Sequence, residues 1–377
     1  LSGRTFLETH WGVRAARFRP EWALASDPAL TSEAWRELDA LLHIDAAGRD
    51  AEDQHTQVRV GRADIAAVLA RGATVCGDIT HHAPVQRVLA DMQRALGLGL
   101  GGFAKLYASP PGAGFPLHLD PHHVFVVQCQ GEKRWRHGTE PALPYARENA
   151  KRDAAGRAVY SGRYEGVPLR GGHGAIEAPT DLEETLLRPG DALYLPPGTW
   201  HEAMAVTHSV AVSLSPPRIH SYDLVLRWLE AQSLARPGWF VDRVAVSGMG
   251  ASTTESVRDE MVEALRGLDP AVLEQQWMLR VAEGQTSRVV AAGGIEQSTW
   301  LVREEAIPWI EVGDELVFVA AGQEWRLPVA ARPFLMRLVG CDRFRADEVL
   351  GWDPALAWAD AAALLEELRA AGVLQVD

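Results

Sequence analysis

Between Gly102 and Ser215 short apolar runs alternate with glycine and proline turns, and this pattern constrains the fold more than any other feature of the chain. Phe103 to Ala108 alternates in polarity, and Pro110-Pro111-Gly112 then interrupts it. Leu117 to Trp135 reads as two strands joined near Cys129–Glu132, where Gln130-Gly131 is a turn signal. Further strands are expected at Glu184–Leu187, Ala192–Leu195 and Ser209–Ser215, separated by Arg188-Pro189-Gly190-Asp191 and Pro196-Pro197-Gly198. Many short strands punctuated in this way predict a sandwich or a barrel. The intervening segment 138–185 is rich in Gly, Arg and Glu and shows little periodicity.

The flanks read as helical. Ser32–Leu42 has Thr31 or Ser32 as N-cap and Trp35, Leu38, Leu41 and Leu42 at helical spacing, and Ala83–Leu96 is followed by Gly97 as a stop. After Pro216-Pro217 helices are expected at Tyr222–Ser233, Ser256–Arg266 and Pro270–Arg280. Short strands at Trp309–Ile310, Leu316–Val319 and Glu324–Leu327 precede helices at Pro333–Leu338, Ala346–Leu350 and Trp358–Ala371, then Gly372 and a strand at Val373–Val376. That alternation resembles a small winged-helix-like α+β module. The expected organisation is a mainly β catalytic domain over 1–220 with an insertion at 138–185, a helical region over 221–290 and the winged-helix-like domain over 291–377. A length of 377 residues suits two or three such domains.

Composition removes several classes of function. With 47% hydrophobic and 23% charged residues the chain has ample material for more than one core, so disorder is excluded as its main state. The formal charge of −13 argues against a broad basic surface that holds nucleic acid. Cys76, Cys129 and Cys341 form no CxxC pair and suggest neither a disulfide framework nor a zinc site. No segment approaches a membrane span and no basic stretch leads into an apolar run at the start, so a cytoplasmic protein without a signal peptide is expected. Of the 37 basic residues only Lys105, Lys133 and Lys151 are lysine, which makes the position of each lysine informative.

The chemistry concentrates in Phe115-Pro-Leu-His118-Leu-Asp120-Pro-His-His-Val-Phe-Val-Val-Gln-Cys-Gln-Gly-Glu-Lys133-Arg-Trp135. Side chains two apart on a strand share a face, so His118 and Asp120 can share one metal ion. His201, in Pro189-Gly-Asp-Ala-Leu-Tyr-Leu-Pro-Pro-Gly-Thr-Trp-His201, is the best third ligand. Two histidines and a carboxylate leave three positions of a six-coordinate ion open, the facial arrangement of non-heme Fe(II) oxygenases. Zinc more often takes tetrahedral N/S ligation, and only Cys129 is near in sequence. His-x-Asp alone is a weak signal among 13 histidines, and His122 and His123 are rival ligands or turn residues.

The run from Tyr107 to Trp135, the element from Leu187 to Ser213 and the opening Phe6-Leu-x-x-x-Trp11 resemble the JmjC-type ribosomal oxygenases. These are cupin-fold Fe(II)- and 2-oxoglutarate-dependent protein hydroxylases. The order of catalytic domain, helical dimerisation region and winged helix is similar too. The resemblance implies His118, Asp120 and His201 as iron ligands, with no separate catalytic side chain. It implies Lys133, on the strand after the His-x-Asp strand, as the partner of the distal 2-oxoglutarate carboxylate, helped by the Tyr107 hydroxyl. Thr207 and Ser209 fall where further cosubstrate contacts are made. Fe(II), 2-oxoglutarate and O2 are thus the implied cofactors, a protein or peptide side chain the substrate, and a homodimer the assembly.

The segment between Trp135 and Leu187 is longer than the family usually carries and includes Tyr145, Tyr160, Tyr164 and His173. A lid or substrate-gripping loop there puts ribosomal substrates in doubt and leaves a tailoring hydroxylase of a peptide natural product as the alternative. A non-catalytic cupin used for binding or assembly is the rival of another class. A DNA-binding use of the winged helix has little support, because its last helix carries Asp360, Glu366 and Glu367 against Arg369.

Overall fold

The computed structural model describes residues 3–49, 55–96, 98, 101–144, 146–153, 155–171, 174–175, 179–234, 236, 239, 251–284, 294–303, 307, 309–312, 314–320, 323–353, 356–370 and 373–377. Gly97, Tyr145, His173, Gly372 and the boundary expected near 290 lie outside the described residues. The chain divides into two compact units, Leu1–Met92 with Gly101–Pro217, and Gln93–Leu100 with Arg218–Asp377.

The first unit begins with α1 (Gly3–Thr9), β1 (Ala16–Phe18), β2 (Leu42–Arg49), β3 (His55–Arg59), α2 (Ile65–Ala70), β4 (Thr74–Asp78) and α3 (Ala83–Leu96). Next come β5 (Phe103–Ser109), β6 (Gly114–Leu119), β7 (Val124–Gln130) and β8 (Lys133–His137). The insertion adds β9 (Ala150–Arg152), β10 (Ala158–Tyr160), β11 (Arg170–Gly171) and β12 (Gly174–Ala175). The unit closes with β13 (Glu183–Leu187), β14 (Ala192–Leu195), β15 (His201–Ala205) and β16 (Ser209–Ser215). An eight-stranded sheet runs in the order β1-β14-β7-β16-β5-β4-β2-β3 and a six-stranded sheet in the order β10-β9-β6-β15-β8-β13, every pairing antiparallel. Two facing antiparallel sheets agree with a JmjC cupin core.

Alternation sorts each strand between two cores. Phe125, Val127 and Cys129 of β7 join Leu106, Ala108, Val210 and Val212 in a cluster beneath α2, α3 and the N-terminal segment. Val124 and Val126 face the other way, with Trp135, Leu187, Leu193, Ala203 and Ala211, into the space between the sheets. Strands buried on both faces read as continuous apolar runs, as β7 does.

Three expectations change. Leu117–Trp135 contains parts of three strands rather than two, because the turn after Asp120 starts β7 before the Gln130-Gly131 turn starts β8. Ser32–Leu42 is only a short 3₁₀ turn at Glu33–Glu37, its N-cap Ser32 accepting the Ala34 N–H. The physical reason is Arg62, whose guanidinium donates to the carbonyls of Arg36, Leu38 and Leu41, acceptors that a continuing helix would use. The insertion is ordered where described: β9 and β10 extend the six-stranded sheet beyond β6, and Ala146, Ala150, Ala158 and Leu169 pack with Leu119 and Trp200.

The second unit holds α4 (Ser221–Ser233), α5 (Ala251–Arg266) and α6 (Pro270–Gly284). These are followed by β17 (Trp300–Arg303), β18 (Trp309–Val312), β19 (Glu315–Ala320), β20 (Gln323–Pro328), α7 (Arg332–Gly340), β21 (Arg343–Arg345), α8 (Trp358–Ala370) and β22 (Leu374–Val376). Its strands form two three-stranded sheets, β21-β17-β22 and β18-β19-β20, and Leu301, Phe318, Phe334, Leu335, Phe344 and Leu365 share one core. Among the described residues no helix is long and apolar enough to cross a membrane.

Gly131, in the β7–β8 turn, has φ +61° and a Cβ there would stand 1.9 Å from the His208 carbonyl oxygen. Gly131→Ala is therefore expected to cost roughly 2 kcal/mol or more, read as a clear fall in Tm by calorimetry. An unchanged Tm would contradict this close turn contact.

Candidate metal centre

His118, Asp120 and His201 come together, with one potential ligand atom from each lying within 4.8 Å of the others. The register of β6 and β15 sets His118 directly opposite His201. A bulge then follows, since Ala203 pairs with Phe115, so that three steps on β6 match two on β15. Pro116 lies in the bulged stretch, where its missing N–H is tolerated, and bulges of this kind re-aim neighbouring side chains. The two rings lie 4.2 Å apart between centroids, and Asp120 Oδ2 is 3.9 Å from His118 Nε2 and 3.5 Å from His201 Nε2.

Both imidazoles are oriented from behind. His118 Nδ1 is 2.7 Å from the Pro116 carbonyl oxygen, and His201 Nδ1 is 2.9 Å from that of Thr199. A ring that donates through Nδ1–H presents Nε2 as a lone pair, the form a metal requires. Burial pushes the Asp120 carboxyl upward, but the hydrogen bond from His201 and the charges of His118, His201 and His122 outweigh it and hold the group well below the usual carboxylate range. The donor set that the cluster can offer a metal is two imidazole nitrogens and one carboxylate, all on one side.

The glycine and proline turns aim this set. Gly198 donates its N–H to the Asp120 carbonyl at 2.8 Å, which ties the Pro-Pro-Gly turn to the loop after β6. Its φ is +78°, and a Cβ would stand 1.9 Å from the Leu143 carbonyl oxygen. Asp191 is structural: Arg17 and Arg19 bind its carboxylate at 2.7 and 2.8 Å, which anchors β1 beside β14. Tyr194 accepts the Gly12 N–H and bonds His123 Nδ1, while Trp11 stacks on His123 at 3.6 Å. The opening Phe6–Trp11 motif and His123 thus lock the N-terminal segment onto the sheet, and His123 is not in the ligand group.

Lys133 is only 2% exposed. Its Nζ donates to Ser109 Oγ at 3.3 Å and lies 5.8 Å from the centre of the Tyr107 ring. Among the described residues no carboxylate pairs with it, and burial pushes its pKa down to about 8. Around it are Thr74, bonded to Ser109 at 3.0 Å, and Ser209, which accepts from Gln128 Nε2 at 2.8 Å. Thr74, Ser109, Gln128 and Ser209 are all fully buried, and Gln128 Oε1 has no partner among the described residues. A buried cation with a ring of hydroxyls and amides is costly unless an anion joins it. Tyr107 also abuts Phe115 edge-on at 5.4 Å, and burial drives its phenol pKa upward, so it stays a neutral donor.

Of the residues read from sequence, Thr207 is the one placed elsewhere. It is exposed, and its hydroxyl accepts the Glu132 N–H at 2.9 Å, so it closes the β7–β8 turn rather than joining Lys133. Lys133 itself lies two strands after β6, not one. Cys129 faces the outer core, where burial pushes its thiol up to about 12, and it offers no metal ligand. His122 packs edge-on against Phe103 at 5.0 Å. Sequence reading missed Thr74 and Ser109, whose signal was a polar residue at a position of inward alternation on β4 and β5.

Residues 81–161 and 171–224 match the family model described as "JmjC domain". That match falls on the strands and turns that carry His118, Asp120, Lys133 and His201. Ribosomal oxygenase 2 of Bos taurus is 37% identical over 116 residues, 30% of this chain and 20% of that protein. The bifunctional lysine-specific demethylase and histidyl-hydroxylase NO66 of Drosophila willistoni is 33% identical over 131 residues, 33% of this chain and 14% of that protein. The alignments thus span no more than a fifth of either relative. An Escherichia coli structure, the ribosomal oxygenase YcfD with cobalt and 2-oxoglutarate, superposes with a TM-score of 0.44 at 19% identity, over 100% of this chain and 98% of that one.

Two outcomes follow from the site itself. Gly198→Ala should loosen the loop that carries Asp120 and weaken Mn(II) binding, measured by calorimetric titration, at least tenfold; wild-type affinity would contradict the link. For Lys133 the folded pKa of about 8 lies below its ordinary 10.5, so in that window the unfolded chain holds the proton that the fold sheds. Stability should therefore rise with pH between those values, by on the order of 3 kcal/mol. Lys133→Met should remove this contribution in urea titrations at several pH values; an identical pH dependence in both proteins would contradict the burial cost.

Proposed function

We propose that this chain is an Fe(II)- and 2-oxoglutarate-dependent oxygenase that hydroxylates an amino-acid side chain of a protein or peptide. The observation that carries the reading is a two-histidine, one-carboxylate cluster in the same unit as a buried lysine that has no carboxylate partner among the described residues. The oxygen- and nitrogen-rich donor set without a thiolate fits iron better than a structural zinc. When bound, the metal with O2 supplies the oxidising chemistry, and 2-oxoglutarate leaves as succinate and CO2 while one oxygen atom enters the substrate.

The protein's part is to bind and orient. His118 and His201 hold Nε2 forward because their Nδ1 atoms face carbonyl oxygens. Lys133 neutralises the distal carboxylate of 2-oxoglutarate, with the Tyr107 hydroxyl, Ser109 and Ser209 as neighbouring donors. Trp135 and Leu187 line the same inter-sheet core and keep bulk water from it. The names of the bovine and insect relatives support a protein side chain as the target.

The rest of the organisation is proposed on the same footing. Residues 1–220 act as the catalytic domain, 221–290 as the helical dimerisation region and 291–377 as a winged-helix-like module of a cytoplasmic homodimer. That last module makes no nucleic-acid contact in this reading. In its densest basic group Arg332, Arg343 and Arg345 are already paired with Glu311, Asp377 and Asp347. A second reading keeps the chemistry and makes the substrate a peptide natural product, because the insertion places β9 directly beside the His118 strand, with β10 beyond it.

Anaerobic addition of Fe(II) and 2-oxoglutarate should produce a weak visible charge-transfer band that His118→Ala loses. Lys133→Ala should raise the 2-oxoglutarate concentration needed for that band roughly tenfold or more. No band at saturating ligand would contradict the oxygenase and favour a non-catalytic cupin, whereas an unchanged requirement in Lys133→Ala would remove Lys133 from the cosubstrate site.

A further inference from the structure

Lys105 is the remaining lysine on the wall that faces the metal centre. Phe103, Lys105, Tyr107 and Ser109 occupy alternate positions on β5 and share one face. The contacts of its neighbours locate that face. Phe103 meets His122, two residues beyond Asp120, at 5.0 Å; Tyr107 meets Phe115, three residues before His118, at 5.4 Å; Ser109 meets Lys133 Nζ at 3.3 Å. Lys105 therefore stands between two residues that touch the metal-bearing segment, at the opposite end of the row from Lys133.

Lys105 is half-buried and has no hydrogen bond or ion pair among the described residues. The acidic groups nearest in register make no ion pair with it. Asp45 binds Arg59 at 2.7 Å and Gln57 at 2.9 Å, while Asp78, opposite Lys105 across the sheet, accepts the Thr80 N–H at 2.8 Å. The Cys76 thiol between the two lysines is pushed up to about 11 by burial, so it adds no anion. On the other side of the metal strand Lys151 pairs in register with His118, but its ammonium is bound to Glu165 at 2.6 Å, and Arg157 is bound to Asp153 at 2.8 Å. Those two cations are thus matched, whereas Lys105 faces inward with no carboxylate bound to it among the described residues, and a half-buried ammonium there favours an anionic visitor.

We propose that Lys105 anchors a carboxylate of the substrate, so that the enzyme acts on a polypeptide segment bearing an Asp or Glu side chain or a free C-terminus beside the reacting residue. This rests on the oxygenase reading above and divides the labour between the two inward lysines: Lys133 takes the cosubstrate and Lys105 takes the substrate. Tyr107, between them, separates the two anions.

The test is fluorescence anisotropy of labelled random-sequence peptide pools with the Mn(II)-loaded full chain. One pool is rich in Asp and Glu with amidated ends, one is neutral with a free C-terminus, one is neutral and amidated, and one is rich in Lys and Arg. Wild-type protein is expected to favour one of the first two pools over the neutral amidated pool roughly tenfold, and which one tells a side-chain from a terminal carboxylate. Lys105→Gln should abolish the preference, and Lys105→Glu should turn it toward the Lys/Arg pool, a reversal that damage to packing does not produce. The proposal falls if wild type shows no preference for either carboxylate pool. It also falls if the preference survives both substitutions, or if Lys105→Gln weakens 2-oxoglutarate binding as much as peptide binding. Titration of wild type with 2-oxoglutarate alone decides the oxygenase reading separately, because peptide anisotropy needs no cosubstrate.

Discussion

The antiparallel register of β6 and β15 is the constraint on which the rest of the site depends, because it brings His118 opposite His201. A slip of one residue would turn each ring to the other face of the sheet. The bulge at Pro116–Leu117 and the Gly198 N–H bonded to Asp120 protect that register from opposite sides. Much of what looks like a catalytic motif is the scaffold that aims three side chains: the prolines, the Gly198 turn, Asp191 and Tyr194. Trp11, His123 and the arginines on Asp191 belong to the same scaffold and clamp the N-terminal segment against it.

The second constraint is electrostatic. A lysine buried to 2% exposure beside hydroxyls and an amide carries a desolvation cost that this fold leaves uncompensated among the described residues. Such an arrangement destabilises the empty protein and favours the anion-bound one, which links affinity for a dicarboxylate to the burial of the lysine. In a chain that uses arginine almost everywhere, a lysine also matters sterically. An ammonium is a compact point charge, whereas a guanidinium needs a wider, forked set of acceptors.

The strands after Gly102 were legible because period-two alternation and glycine or proline turns are local signals, and Ala192–Leu195 and Ser209–Ser215 fall where alternation places them. The His-x-Asp pair and His201 stood out for the same reason, whereas the role expected of Lys133 came only from the resemblance. What was illegible depended on distant partners. Arg62 takes the carbonyls of Arg36, Leu38 and Leu41 and unmakes a helix that its own spacing suggested. The β2–β3 hairpin and β4 were hidden in a mixed composition, and their pairing to β5 is a tertiary fact. Thr207 lies two residues from Ser209, yet one hydroxyl closes a turn and the other is buried with Gln128.

X-ray absorption of the anaerobic Fe(II)-loaded protein tests the central claim most directly, since it reads the atoms around the metal rather than the consequences of binding. The account predicts one iron per chain in a shell of nitrogen and oxygen, with the outer-shell scattering of two imidazoles and no sulfur. Loss of one imidazole is expected in His201→Ala. A sulfur scatterer, or the same two-imidazole signal after that substitution, would contradict it.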